Sequence, residues 1–523
     1  MNPPPRWPFI FLTALSLSIG WGIRGNFGHE TGAMIPGALA AMAAVLLSRR
    51  EDWWQRIVFF AFFGALGWSF SGSISYMQVI AYTHSGHSAS VLYGFACLFV
   101  IGLLWAALGG AGTALAACLS REQLASFFGP ITAIFVAWII QDVGEAVIVN
   151  ARPNYRHESP LYWYDTDWLG VSTAILAVLG WVVARRRIDP ACSLILHMAM
   201  GWWIGFLVLV VLLGWRMTPP RGDNWAGCVG MVIGLWVYLR RHGFREVLAV
   251  SLITGFWGGV GFAGATLLKL MFVKTGWQTN WHSVLEQIYG FINGIGVALA
   301  MLRLAKRAKP VADEPSVRRW TEIYATTFVL IGITYLNLRK NPGVWVSAKT
   351  ISESIYGLTP SIWFGIGYAL LATAVVGLMA WHCRNPLDLL PVSWLGRGQM
   401  LYLAFLWWMV VGNFERALVL FTPQRIVTEG TIFLNAVICT ILLLARPARS
   451  STKVIDCGGH DKWPLRRLAL VGLLTMIFTV FGAWGIVRGL YGDQFAGQAR
   501  LHVRFGPNAT ATPDKPAAGQ PHP

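Results

Sequence analysis

Residues 90–118 read Ser-Val-Leu-Tyr-Gly-Phe-Ala-Cys-Leu-Phe-Val-Ile-Gly-Leu-Leu-Trp-Ala-Ala-Leu-Gly-Gly-Ala-Gly-Thr-Ala-Leu-Ala-Ala-Cys, with no charge anywhere in the run. An α-helix rises about 1.5 Å per residue, so about 20 apolar residues cross the hydrocarbon core of a bilayer. This stretch exceeds that length and is too long for a buried helix of a small soluble domain. The same pattern recurs along the chain at 8–23, 31–48, 56–82, 126–149, 168–185, 192–215, 225–240, 246–272, 283–303, 320–337, 362–382, 399–421, 429–445 and 466–488. That makes about fifteen segments of spanning length. The whole composition agrees. Of 523 residues, 55% are apolar and only 12% charged, with 27 tryptophans and 29 phenylalanines. A soluble chain of this length lacks the interior to hide so much apolar surface, and disorder, collagen and a disulfide scaffold are excluded by the same composition. The expected fold is an all-α polytopic integral membrane protein, because only helices satisfy every backbone polar group within one segment in lipid.

The formal net charge is +17, from 41 lysines and arginines against 24 aspartates and glutamates. Without a soluble basic domain this points to the lipid bilayer as partner and away from nucleic acid. Basic residues orient membrane helices and meet anionic headgroups. Arg49-Arg50, Arg185-Arg186-Arg187, Arg240-Arg241 and the run from Arg303 to Arg319 fall in alternate loops, which carry about twice the basic residues of the others. The bias predicts a cytoplasmic N-terminus and an exoplasmic C-terminus, and the expected location is a bacterial inner (plasma) membrane. The segment from Met1 to Gly22 has Arg6 and a short apolar run but no A-x-A site, and is expected to be an uncleaved first helix. The seven cysteines are scattered without a CxxC pair, so neither zinc nor redox chemistry is indicated.

Self-comparison reveals recurring landmarks. Gly20-Trp21 followed by Arg24-Gly25-Asn26 matches Gly214-Trp215 followed by Arg221-Gly222-Asp223. Trp68 with Gly72 matches Trp257 with Gly261, Tyr93-Gly94-Phe95 matches Tyr289-Gly290-Phe291, and Trp168-Leu-Gly170 matches Trp363-Phe-Gly365. The landmarks come in one order at a spacing of about 195 residues, which predicts a duplication. A weaker third copy begins at Gly412-Asn413-Phe414, echoing Gly25-Asn26-Phe27. The expected organisation is two parallel six-helix repeats, 1–190 and 191–390, then a C-terminal three-helix unit, 391–490, and a Pro/Ala/Thr-rich disordered exoplasmic tail, 491–523. Parallel repeats are a layout that transporters use.

Several clusters carry chemistry. Residues 24–32, Arg-Gly-Asn-Phe-Gly-His-Glu-Thr-Gly, are too polar and glycine-rich for a simple helix. Arg24 offers a bidentate fork for a carboxylate or phosphate. With Asn26 and the matching Arg221 and Asp223 it forms a candidate substrate-binding set. The bland alternative is two headgroup-level arginines, each paired locally. Asp142 and Glu145 share a face within an apolar helix, where carboxylates are costly, and are candidates for proton or ion coupling; the alternative is a structural pair. Residues 152–168 crowd Tyr162, Trp163 and Tyr164 together with His157, Glu158, Asp165 and Asp167. Rings that stack and acids that bond hydroxyls suit a sugar or headgroup, although an interfacial aromatic belt has similar composition. If the chain is an enzyme, His29, Glu30, His157, Glu158, Asp165 and Asp167 are the acid/base candidates. His84 and His87 are weak metal candidates without a cysteine nearby. Around 269–286, Lys269, Gln278, Asn280, His282 and Glu286 form a further polar group, and Glu415-Arg416 suggest a local or interhelical pair.

No Walker loop, GxSxG elbow or dinucleotide fingerprint occurs, and no cofactor is expected. These features favour a secondary transporter or flippase for an anionic, sugar-like or lipid-linked substrate, bound between the repeats. An integral membrane transferase or hydrolase with an outer-face active site is the second expectation, and a non-catalytic membrane scaffold the third.

Overall fold

The structure, a computed structural model, describes residues 6–152, 160–217, 223–309, 318–385, 387, 389–391, 393–419, 421–445 and 464–492. Arg221, His157, Glu158, Cys457 and the expected tail from 493 onward lie outside the described residues. Among the described residues the secondary structure is helical with no strand, and Ile355 and Leu358 form an isolated bridge. Nine helices among them are long and apolar enough to cross a membrane, which is compatible with a helical membrane protein. Pro360–Arg384 is the least covered of them: its apolar stretch is unburied within the protein, and Ile362, Leu370 and Trp381 stand exposed. An apolar helix with apolar residues facing outward calls for a non-aqueous surrounding.

Several expected segments are interrupted. The segment 56–82 breaks into Ile57–Phe70 and Met77–Tyr82. Gly72 lies within the break, where a Cβ would lie 2.6 Å from the carbonyl oxygen of His29, so the backbone there packs directly on the polar loop after the first helix. Leu207–Leu212 and Phe328–Ile333 adopt wider π turns within the segments 192–215 and 320–337, a local rearrangement of the hydrogen-bond ladder.

The chain forms two compact units, and each draws on residues from both sides of position 190. Compactness and the sequence repeat therefore divide it differently. The first unit comprises 1–72, 105–125 and 244–475; the second comprises 73–104, 126–243 and 476–523. In the first unit, Arg6–Arg24 packs against Trp281–Arg307 and Glu30–Leu46, while Arg245–Val273 also lies along Trp281–Arg307. Gly290 and Gly294 permit this closeness. A Cβ on Gly294 would come 2.5 Å from Ala14 Cα, and one on Gly290 would come 2.7 Å from the Leu17 carbonyl oxygen. Small residues four apart are the usual means of bringing membrane helices into backbone contact. Ser18 Oγ then donates across the seam to the Gln287 carbonyl oxygen at 2.9 Å. In the second unit, Pro190–Phe206 crosses Asn224–Arg241, and Phe128–Ala151 packs on Trp168–Arg185.

Candidate functional site

The helix Arg6–Arg24 ends in an arginine, where a cation complements the negative C-terminal dipole. Its chain then reverses through Gly25–His29, with Asn26 N donating to the Ile23 carbonyl and Phe27 N to that of Arg24. Gly28 takes φ +103°, a left-handed conformation open to glycine at low cost. Glu30 then begins the next helix. This turn brings the Arg24 side chain into the first unit, where it is 2% exposed.

Arg24 Nη1 donates to Glu286 Oε1 at 2.9 Å, and Glu286 is likewise 2% exposed. A buried guanidinium requires such a partner, because an unpaired charge in low dielectric is costly. Arg24 Nη2 lies 2.9 Å from His29 Nδ1. Arginine has no acceptor, so Nδ1 must accept and His29 carries its proton on Nε2. His282 Nε2 lies 3.6 Å from Glu286 Oε1, one helical turn away. The guanidinium sits over the rings of Trp21 and Trp105, at 5.1 and 5.4 Å from their centroids. Those two rings stack at 4.8 Å, and Tyr289 meets Trp21 edge-on at 4.7 Å. Partial burial of the His29 ring, assisted by the Arg24 charge, lowers its pKa from the ordinary 6.5; Glu30 and Glu286 oppose that shift. Its edge, like Glu30, reaches the surface.

A second set of side chains grips the same loop. Asn26 Nδ2 donates to Asn413 Oδ1 at 2.7 Å, and Asn413 Nδ2 donates to Glu429 Oε2 at 2.6 Å. Lys340 Nζ donates to the Phe27 carbonyl oxygen and, at 3.2 Å, to Thr31 Oγ1. Burial and nearby Arg339 lower the Lys340 pKa. Asn337 Nδ2 reaches the Thr31 carbonyl at 3.1 Å. Glu415 accepts from Asn341 at 2.8 Å and from Tyr368 at 2.9 Å, while Arg416 lies over the Phe27 ring. The adjacent Glu415-Arg416 thus serve different partners.

The sequence pattern reached Arg24, Asn26, His29, Glu30, His282 and Glu286, and the structure gathers these at one loop. It did not single out Lys340, Asn341 or Glu429. The usable signals were Glu429 as a carboxylate beginning an apolar run and the Gly-Asn-Phe echo at 412–414.

In the second unit, Asp223 is fully buried and pairs with Arg216 through its Nε. Arg221, which the repeat aligns with Arg24, lies outside the described residues; Arg216, immediately after Trp215, faces Asp223. Burial raises the Asp223 pKa to about 6, with Arg216 pulling the other way. The Arg216 guanidinium lies 4.7 Å over Tyr164, and its carbonyl accepts from Tyr93 Oη at 3.3 Å. Trp215 Nε1 is 3.4 Å from that same Tyr93 oxygen. Each unit therefore holds a buried arginine–carboxylate pair beside a tryptophan and a tyrosine: Arg24, Glu286, Trp21 and Tyr289 in one, Arg216, Asp223, Trp215 and Tyr93 in the other.

The turn 162–167 docks beside this pair. Asn224 and Asp167 exchange two hydrogen bonds, Asp167 N to Asn224 Oδ1 at 2.8 Å and Asn224 Nδ2 to Asp167 Oδ2 at 2.9 Å. Trp163 meets Phe206 edge-on at 5.0 Å, and Tyr164 and Asp165 take positive φ. Tyr162 lies in the same short turn. Asp142 is exposed on Phe128–Ala151, and Glu145 accepts from Gln141 at 2.7 Å. His87 Nδ1 bonds Ser90 Oγ at 3.1 Å, at the start of Ser88–Cys118, and His84 lies three residues before it. Among the described residues, no three His, Cys, Asp or Glu side chains gather as a metal-binding group.

Compared with known proteins, the chain matches no family, no curated protein and no solved structure.

Proposed function

We propose that this chain is a multi-pass secondary transporter or flippase of a plasma membrane, with a cytoplasmic N-terminus, and that it takes a small anionic, sugar-like or lipid-linked substrate. The observation that carries the reading is the buried Arg24–Glu286 pair, bounded by His29 and the faces of Trp21 and Trp105. A guanidinium held by one carboxylate is a site where an incoming carboxylate or phosphate can compete for the same fork. An anion that takes this fork displaces Glu286 from it, so entry at Arg24 rearranges a buried carboxylate. The indole faces suit the apolar side of a sugar ring. Arg216–Asp223, with Tyr164 above it, supports a second anion-responsive position in the other unit. Asp142 and Glu145, on a helix surface, remain the candidate route for a coupling ion.

A membrane transferase or hydrolase is the second reading. Its support is the exposed edge of His29 beside Glu30, an arrangement able to move protons at a surface.

Reconstitution into liposomes tests the first reading. Glycerol 3-phosphate, glucose 6-phosphate and glucuronate are applied in turn while charge movement is recorded on a supported membrane. At least one should evoke a current that requires a proton gradient and disappears in Arg24→Gln. A current that persists undiminished in that variant would remove Arg24 from the mechanism.

A further inference from the structure

We propose that the second unit carries a built site for one acidic phospholipid. An acyl chain lies in a groove between Pro190–Leu212 and Asn224–Arg241, and its phosphate is held by the arginines at one end. The groove has a volume of about 590 Å³ and is lined without polar surface. Gly201 and Gly230 form its floor: a Cβ on Gly230 would lie 1.9 Å from the Gly201 carbonyl oxygen, so the two backbones are in contact. Met200, Ile204 and Ile233 form its exposed walls.

The basic end is defined by the same packing. Gly234 faces the His197 carbonyl, while Gly205 faces that of Ala226, so the two helices run antiparallel. Tyr238 Oη donates to the Pro190 carbonyl at 2.9 Å, which puts the end carrying Arg240, Arg241 and His242 beside the start of the other helix. Immediately before that start, the chain turns through Arg185, Arg186 and Arg187, with Arg186 in the left-handed conformation. All five arginines are exposed. Asp189, the carboxylate in this turn, is already engaged in capping Cys192 N. A cluster of arginines thus lies at one end of an uncharged groove.

Charge selects the occupant. The groove begins at Leu196, about 9 Å along the helix from Pro190, and runs on to Leu209, roughly 20 Å further. An acyl chain fills that apolar length while its phosphate meets the five exposed arginines, which an apolar helix of a second copy would leave unanswered. Basic clusters at this level favour anionic headgroups.

Native mass spectrometry of the full chain, delipidated in detergent and given equal dioleoylphosphatidylglycerol and dioleoylphosphatidylcholine, tests the site. The wild type should retain one phosphatidylglycerol in preference to phosphatidylcholine. Arg240→Gln with Arg241→Gln should reduce that preference by about five-fold per arginine removed. Ile233→Trp, which fills the groove from its exposed wall, should abolish retention of both lipids. The changes lie at exposed positions, and unchanged thermal unfolding of each variant checks the fold. Equal retention of the two lipids would overturn the proposal, as would a preference that survives the arginine changes. A dimer that Ile233→Trp dissociates, without bound lipid, would assign the groove to a second copy instead.

Discussion

Asn26 Nδ2 donates to Asn413 Oδ1 at 2.7 Å, and each asparagine stands between a glycine and a phenylalanine. The two Gly-Asn-Phe triplets, 387 residues apart, thus meet side chain to side chain in the first unit. Asn413 in turn donates from its Nδ2 to Glu429 Oε2. Asn413→Leu is expected to lower stability by about 1–3 kcal/mol, because it leaves a buried carboxylate without that bond. Asn26→Ala, at a partly exposed position, should cost about 0.5–1.5 kcal/mol. Thermal unfolding in detergent measures both. Equal small losses would mean that the bond to Glu429 contributes nothing.

The Arg24–Glu286 pair invites a double-mutant cycle. Arg24→Met alone strands Glu286 and is expected to cost about 3–5 kcal/mol, as is Glu286→Met alone. The double variant should cost less than the sum, by about 0.5–3 kcal/mol, since it strands neither charge. Denaturant titration in mixed micelles gives the four values. Strict additivity would show that the two side chains do not act as a pair. If Arg24 binds substrate as proposed, the double variant should regain stability without regaining anion-evoked current.

Long uncharged runs such as 90–118 were enough to read apolar helices of spanning length from the sequence, and the nine such helices among the described residues are compatible with a helical membrane protein. Interruptions were less legible. At the break after Phe70, Gly72 packs against the His29 backbone, a contact that local composition does not encode. For the site, Arg24 and His29 stood out as polar residues in a glycine-rich turn. Their partner Glu286 was one of several polar residues near 280, and only the crossing of two distant helices selects it. The case of Asp223 is similar: nothing in the repeat singles out Arg216, the partner that the fold brings to it.

His29 should make stability fall on acidification. Its Nδ1 accepts from Arg24, so the folded protein holds the ring neutral, and its pKa lies below the ordinary 6.5. Below pH 6.5 the unfolded chain binds the proton first. Stability therefore declines as pH falls from about 6.5 towards the lowered folded value, and is fully present above that window. His29→Gln should flatten this part of a stability profile measured in detergent. Retention of the full slope in the variant would assign it to other groups; Glu30, Glu286 and His282 are the ones that face the ring.

Asp223 has the opposite sign. Its folded pKa, about 6, lies above the ordinary value of 3.8. Between those values the folded protein binds the proton more readily, so this group's contribution is fully present below about 3.8 and is lost as pH rises through about 6. Asp223→Asn should remove that decline while leaving the His29 contribution in place. A profile unchanged between pH 4 and 6 would show that Asp223 titrates at its ordinary value.

Gly25 ties the shape of the loop to the ion pair. A Cβ at this position would lie 2.5 Å from Glu286 Oε2. The carboxylate is buried and held by Arg24, so it cannot yield without loosening that bond. Gly25→Ala is therefore expected to cost about 1–3 kcal/mol, the usual range for forcing an added methyl into a packed site. In a Glu286→Ala background the obstacle is gone, and the same substitution should cost close to nothing. Gly367 supplies the contrast: nothing lies within 4 Å of its Cβ position, in the helix Pro360–Arg384. Gly367→Ala should be neutral or stabilising by about 0.5–1 kcal/mol, as for alanine over glycine inside a helix. If Gly25→Ala were as costly without Glu286 as with it, the loop glycine would answer to backbone conformation and not to the carboxylate beside it.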